Sequence, residues 1–141
     1  MTDQQVEPSL DERQKLMNAF KRAFGKADRD AFAKVVTDDF KWHMHWYLPD
    51  DPQPTGNVVT GPDAAMAEVA WRAANWSDVR FDDVEERFID DLIVQTFRIS
   101  GTDHAGESFE VDAVDLYRIV DGQLALKDTY WKRPAIAGEE R

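Results

Sequence analysis

Apolar residues recur along this chain with two periods, one near 3.6 and one of 2, and the chain divides where the second replaces the first. Leu16, Met17, Phe20, Ala23 and Phe24 stand at helical spacing behind Ser9 and Glu12, which are placed as a capping box, and Gly25 closes that segment. A shorter helix is expected after Asp28, burying Phe32, Val35 and Val36, with Asp38 and Asp39 stopping it. From Phe40 to Leu48 the period becomes two: Phe40, Trp42, Met44, Trp46 and Leu48 share one face, and Lys41, His43, His45 and Tyr47 the other. Pro49, Pro52 and Pro54 then rule out regular structure up to Gly56, because each removes a backbone donor and fixes φ; such a loop suits a pocket rim. Gly61 and Pro62 open a third helix reaching about Asn75, with Met66, Val69, Ala70 and Ala73 inward.

After Trp76 the pattern is of strands alone, over 79–89, 92–101, 108–120 and 123–132, separated by Asp90-Asp91, by Gly101 to Gly106, and by Asp121-Gly122, a strong two-residue hairpin signal. Short connections imply antiparallel pairing, since parallel neighbours need a long crossover. The expected fold is therefore α+β: three helices in the N-terminal half packed on a strongly curved antiparallel sheet of roughly five strands that encloses a pocket. One domain over 9–134 is expected, with frayed tails at 1–8 and 135–141.

Composition narrows the function. The chain has 141 residues, 43% of them hydrophobic, which is enough for a core and argues against disorder. A net charge of −11 without a basic patch disfavours nucleic acid and anionic membranes as partners. With no cysteine there is no disulfide, no thiolate nucleophile and no thiolate metal site; His43, His45 and His104 are the available imidazoles. No apolar run approaches the roughly 18 residues of a membrane span, and the N-terminal residues are not signal-like, so a cytoplasmic protein is expected. Five Trp, three Tyr and eight Phe are a heavy aromatic share for this length.

Asp115 is the first candidate for chemistry. It is the one carboxylate on the strand face formed by Val111, Ala113, Asp115, Tyr117 and Ile119, and a carboxyl turned into an apolar pocket has its pKa raised by desolvation. Pairing with Lys127 or Arg98, or a reversed strand face, is the structural alternative. His43 and His45, at i and i+2, share a strand face in a spacing used by general bases and by metal sites. Strict alternation puts both on the back of the sheet, at a dimer contact, whereas a bulge near Trp46-Tyr47-Leu48 would turn His45 or Tyr47 inward; a metal would need a third ligand, and His104 falls in a hairpin loop. Lys127, Thr129 and Trp131 share one face of the last strand, opposite Leu124, Leu126, Asp128 and Tyr130. Acidic runs such as Glu85-Glu86 read as solvated strand edges.

The order of these segments resembles the nuclear-transport-factor-2-like superfamily, in its SnoaL-like and ketosteroid-isomerase-like branch. The resemblance is carried by the two helical segments from Leu16 to Asp39, Trp42-His43, Thr60-Gly61-Pro62-Asp63-Ala64, and the stretch from Val114-Asp115-Leu116-Tyr117-Arg118 to Asp128-Thr129-Tyr130-Trp131. It implies a cone-shaped domain with Lys127, Thr129 and Trp131 facing the pocket, and with Phe20, Phe24, Trp42, Trp46, Phe97, Tyr117 and Trp131 converging there. It also excludes. At the positions where ketosteroid isomerases carry a tyrosine and a catalytic base stand Phe20 and Met44, and only Asp115 matches; the residues of limonene epoxide hydrolases fall on Trp42, Met44 and Thr129. The expectation is a cofactor-independent, metal-free lyase or isomerase acting by proton transfer on a hydrophobic, aromatic small molecule, as a homodimer. Asp115 is its acid or base, assisted by His45 or His43, with Tyr117 or Lys127 polarising the developing charge and Phe20, Trp42, Met44, Trp46, Phe97, Thr129 and Trp131 contacting substrate. The alternatives are a non-catalytic ligand-binding or dimerisation module, a polyketide cyclase or an epoxide hydrolase.

Overall fold

The computed structural model describes residues 10–45 and 56–132. The Ser9 cap, Trp46, Tyr47, the proline-rich loop up to Thr55 and both tails lie outside the described residues.

Helix α1 spans Leu10–Gly25, with Asp11 and Glu12 in its first turn and Arg22 in its last, each complementing the helix dipole, and buries Met17, Phe20 and Ala23. Helix α2, Arg29–Val35, is capped by Asp28, whose side chain accepts from the Ala31 N–H at 3.1 Å. The chain becomes extended at Val36 and not at Asp38: strand β1 spans Val36–Met44, and Asp38 and Asp39 are exposed residues inside it. The β-branched run Val35-Val36-Thr37 favours extended backbone, and the buried Val36 side chain is worth more in the sheet core than in another helical turn.

Strand β2, Asn57–Thr60, too short to carry a period of its own, pairs antiparallel with β1. Helix α3, Pro62–Asn75, starts where Gly61 takes φ 89°, with Pro62 in the first turn. Its inward face is Ala65, Met66, Val69 and Arg72, whereas Ala70 and Ala73 are exposed, so the helix is rotated from the expected orientation and brings a cation inside. Strands β3 (Ser77–Ile89), β4 (Leu92–Thr102), β5 (Ser108–Val120) and β6 (Gln123–Trp131) follow. Asp90, Asp121 and Gly122 adopt the positive φ that tight hairpins require.

The six strands form one sheet in the order β2-β1-β6-β5-β4-β3. The hairpins are antiparallel, but β1 and β6 run parallel, so the sheet is mixed and not wholly antiparallel as expected. The long intervening chain supplies the crossover that parallel neighbours need, and short-range connections do not reveal such a pairing. The sheet is curled but not closed, with β2 and β3 as its edges. The helices lie on its concave face, where Phe20, Phe32 and Phe40 meet with ring centroids 5.4–6.4 Å apart, and Phe20 meets Tyr117 edge-on at 5.3 Å. No helix among the described residues is long and apolar enough to cross a membrane.

One irregularity sets the face of the last strand. Arg118 pairs with Leu126 and Ile119 with Leu124, leaving Ala125 as an extra residue. This bulge lets Leu124 and Lys127, an odd number of residues apart, both point into the concavity, so Leu124 belongs to the core and not to the outer face.

Candidate functional site

Residues opposite one another on paired strands project from the same face, so the registers align side chains in rows across the concavity. Trp42 lies opposite Lys127, Lys127 opposite Tyr117, and Tyr117 opposite Ile93. The neighbouring row runs from Met44 through Thr129, Asp115 and Gln95 to Glu86. The third has Trp131, Ala113 and Phe97. Asp115, Tyr117, Lys127, Thr129, Trp42, Trp131 and Phe97 thus share one face, five of them from the last two strands alone.

Asp115 is 3% exposed. Its Oδ2 accepts from the Tyr117 hydroxyl at 3.2 Å and lies 3.8 Å from Lys127 Nζ, while its Oδ1 is buried and has no hydrogen-bond partner. Arg98 pairs instead with Asp112, at 3.0 Å. Lys127 is 5% exposed, and its ammonium lies 3.9 Å from the ring centre of Phe24 and 4.4 Å from that of Trp42. Burial lowers the Lys127 pKa to about 8, with Asp115 opposing the shift and the Arg72 charge adding to it. Burial, reinforced by the adjacent Asp115 carboxylate, pushes the Tyr117 phenol well above its ordinary value, so Tyr117 remains a proton donor.

A cavity of about 250 Å³ opens onto this group. Asp115, Tyr117, Lys127 and Gln95 form its polar wall, and Phe20, Phe24, Phe97, Phe81 and Val84 its apolar one. Phe81, from edge strand β3, is 53% exposed and stands at the boundary between cavity and solvent. Trp42, Thr129, Trp131 and Arg72 line a narrow extension of about 20 Å³ beside Asp115 and Lys127. There the Trp42 indole N–H donates to Thr129 Oγ1 at 2.9 Å. Met44 is buried but does not line the cavity; its sulfur receives Arg72 Nη2 at 3.3 Å. A wider hollow of about 660 Å³, bordered by Thr96, Arg98, Asp112 and Tyr130, holds the exposed Arg98–Asp112 ion pair and, among its lining residues, no buried ionisable group.

Several members of the site carried no sequence signal. Arg72 enters from α3, its guanidinium 4.6 Å from the Trp42 ring and 4.7 Å from that of Trp76, with Glu68 accepting from its Nε at 2.9 Å. Burial lowers its pKa, against the pull of Glu68. Glu86 is no solvated edge residue: Gln95 donates to it at 2.8 Å, and Lys21 pairs with it at 3.0 Å. Burial pushes the Glu86 carboxyl up, but hydrogen bonds from Lys21, Gln95 and Gln14 together hold it below the usual range. Tyr117 reaches Gln95 Oε1 at 3.2 Å, so polar contacts run from Lys21 at the surface through Glu86, Gln95 and Tyr117 to Asp115. A pairing of Gln95 with Asp115 becomes visible only once the strand registers are known.

The histidines lie across the sheet. His43 stands opposite Asp128 in the parallel pair, on the outer face, and alternation holds through Met44 without turning His45 to the pocket. His45 Nε2 is 2.8 Å from Asp128 Oδ1 and His43 Nδ1 is 3.7 Å from it; the imidazoles stack at 3.7 Å, and Tyr130 stacks on His45 at 4.0 Å. The expected assistance of Asp115 by a histidine does not fit this geometry. The third ligand that a metal would need is Asp128 and not His104, which meets Trp71; the donors of His43, His45 and Asp128 lie within 4.8 Å of one another and could hold a divalent ion.

Comparison with known proteins places this geometry. No curated protein matches the chain by sequence. Among solved structures, an NTF2-like protein from Burkholderia xenovorans LB400 superposes with a TM-score of 0.73 at 17% identity, covering 88% of this chain and 92% of its own. A protein described as a SnoaL-like polyketide cyclase, from Jannaschia sp. CCS1, gives 0.70 at 19% identity, covering 91% and 90%. A ketosteroid-isomerase-like protein from Catenulispora acidiphila DSM 44928, in complex with trimethylamine, gives 0.64 at 15%, covering 82% and 84%. These likenesses establish the NTF2-like fold. The SnoaL-like domain model matches residues 17–126, which contain both the helical layer and the Asp115 strand, and the chain belongs to the SnoaL-like family.

Proposed function

We propose that this protein is a cofactor-independent lyase or isomerase that moves a proton on a small hydrophobic, aromatic carbonyl compound, with Asp115 as the acid–base group. The observation that carries the reading is a buried carboxylate on the wall of an apolar cavity with one oxygen, Oδ1, left without a partner. A buried acceptor without a partner is costly, and a ligand proton satisfies it. Tyr117 and Lys127 hold Oδ2, so Oδ1 is the oxygen that takes a proton from carbon. The Lys127 ammonium supplies positive charge where an enolate oxygen forms. Return of the proton elsewhere on the substrate is an isomerisation; loss of a leaving group is a dehydration or a retro-aldol-type cleavage. Intramolecular aldol closure begins with the same proton abstraction, which keeps cyclase chemistry, suggested by the description of the Jannaschia protein, within this reading.

The opposing reading, a non-catalytic binding module, draws on the Lys127–Asp115 ion pair, which can be purely structural. Exchange of the α-protons of 1-tetralone in D2O, followed by NMR, separates the two. Catalysed exchange is expected from the native protein, with a loss of about 10²- to 10⁴-fold in Asp115→Asn. Equal rates in the two proteins would remove Asp115 from the chemistry. The proposed assembly is a homodimer formed through the outer sheet face.

A further inference from the structure

We propose that Lys127 is a covalent nucleophile, which forms an imine with the carbonyl group of an aryl aldehyde or ketone held in the cavity. The inference rests on the cavity being the ligand site, as above, but assigns Lys127 a bond to the substrate in place of a purely electrostatic role. Three features of its surroundings support it. Lys127 is the one lysine among the buried described residues, on the wall of the 250 Å³ cavity and between aromatic rings on strands and helix. Its ion pair is long, 3.8 Å, so the carboxylate is near enough to exchange a proton without enclosing the nitrogen. Asp115 in turn is hydrogen-bonded by Tyr117, a donor that stays protonated.

In such an enclosure desolvation penalises the ammonium form of Lys127 and narrows the gap to the neutral, nucleophilic amine. Lys127 gives one ammonium proton to Asp115, and the nitrogen lone pair bonds to the carbonyl carbon while the carbon–oxygen π electrons move to oxygen. A proton passes from nitrogen to that oxygen, giving a carbinolamine. Asp115 then returns its proton to the hydroxyl, which leaves as water while the nitrogen lone pair forms the carbon–nitrogen double bond. The sum is ammonium plus carbonyl giving iminium plus water, with Asp115 unchanged and no outside oxidant or reductant. The iminium draws electrons from the adjacent carbon, and Asp115, again a carboxylate, is placed to take the proton there or to assist cleavage of the neighbouring carbon–carbon bond.

A pKa near 8 leaves the Lys127 amine neutral far more often than an ordinary lysine at pH 7.5, a difference of about two-hundredfold in neutral fraction. Reductive trapping tests the proposal: native protein is mixed with 4-methoxybenzaldehyde and sodium cyanoborohydride at pH 7.5, and adducts are located by peptide mass mapping. One equivalent at Lys127 is expected, at least about tenfold faster than at any surface lysine. Lys15→Arg, at a surface position, labels as native protein does, while Lys127→Arg and Lys127→Met lose the fast adduct with circular dichroism unchanged. Labelling spread evenly over surface lysines, or a fast adduct that persists in Lys127→Arg, overturns the inference. The two proposals fail separately: if Lys127 acts only by its charge, native protein shows no fast adduct and Lys127→Arg keeps tetralone exchange. If the imine forms but Asp115 is not the base, the adduct is present and Asp115→Asn exchanges at the native rate.

Discussion

An ammonium group enclosed by Phe24 and Trp42 costs the fold free energy at neutral pH, and the sign of that cost is measurable. Burial holds the folded pKa of Lys127 at about 8, below the 10.5 of an ordinary lysine. Between those two values the unfolded chain binds more protons than the folded one, so stability from this group rises with pH across the window; below pH 8 both states are protonated and the full penalty remains. Urea unfolding at pH 7.5 and 9.5 is expected to show a gain of about 2 kcal/mol at the higher pH, absent from Lys127→Met. Tyr117, whose pKa is raised, works in the opposite direction only above pH 10. Of the candidates singled out along the chain, Asp115, Lys127 and Tyr117 converge because each projects from the concave face of a long strand, where alternation is a safe guide to direction.

At the scale of elements, one extra residue determines the site. Without the bulge at Ala125, the pleat that turns Lys127, Thr129 and Trp131 inward would turn Leu124 outward and leave a hole beneath Ile119. Deleting Ala125, by contrast, leaves Leu124 and Lys127 two positions apart, so plain alternation carries both inward without a bulge. The expected result is a strand that keeps both the core residue and the site residues, with stability in chemical denaturation within about 1 kcal/mol of the native protein; a loss of about 2–4 kcal/mol, the cost of an emptied leucine site, would show that the bulge itself is needed. Helix α3 is also set by its partners: Arg72 faces inward because Trp42, Trp76 and Glu68 together receive its guanidinium, which the apolar spacing of Met66, Val69, Ala70 and Ala73 does not reveal. Strand β1 shows the same limit, since its start at Val36 depends on pairing with Leu124, a neighbour 88 positions away in the chain.

For the whole molecule, the two faces of the sheet divide the work. The concave face holds the cavity; the outer face holds His43, His45, Asp128 and the stacked Tyr130, with Val58 opposite His43. Val58, on edge strand β2, and Tyr130, on the central strand β6, are 44% and 42% exposed and lie on this same outer face. A second copy packed on this face would cover them. Sedimentation velocity is expected to give a dimer at micromolar concentration and a monomer for Tyr130→Glu; a monomeric native protein would remove the assembly from the proposal. A dimer through this face leaves the cavity mouth near Phe81, on the far edge strand, open to substrate.

Local chemistry along the chain determined the helices at α1 and α3, the Asp28 cap, the hairpins at Asp90 and Asp121, and the solitary carboxylate Asp115 on an apolar strand face. These depend on period, capping and turn residues, which act over a few positions. Only the tertiary structure decided the parallel union of β1 with β6, the bulge at Ala125, the entry of Arg72, the contacts linking Lys21 to Asp115 through Glu86 and Gln95, and the joining of Asp128 to two histidines. The reason is physical: side-chain direction follows from local backbone geometry, whereas the partner a side chain meets depends on registers between distant strands, and those are set by how the whole core packs.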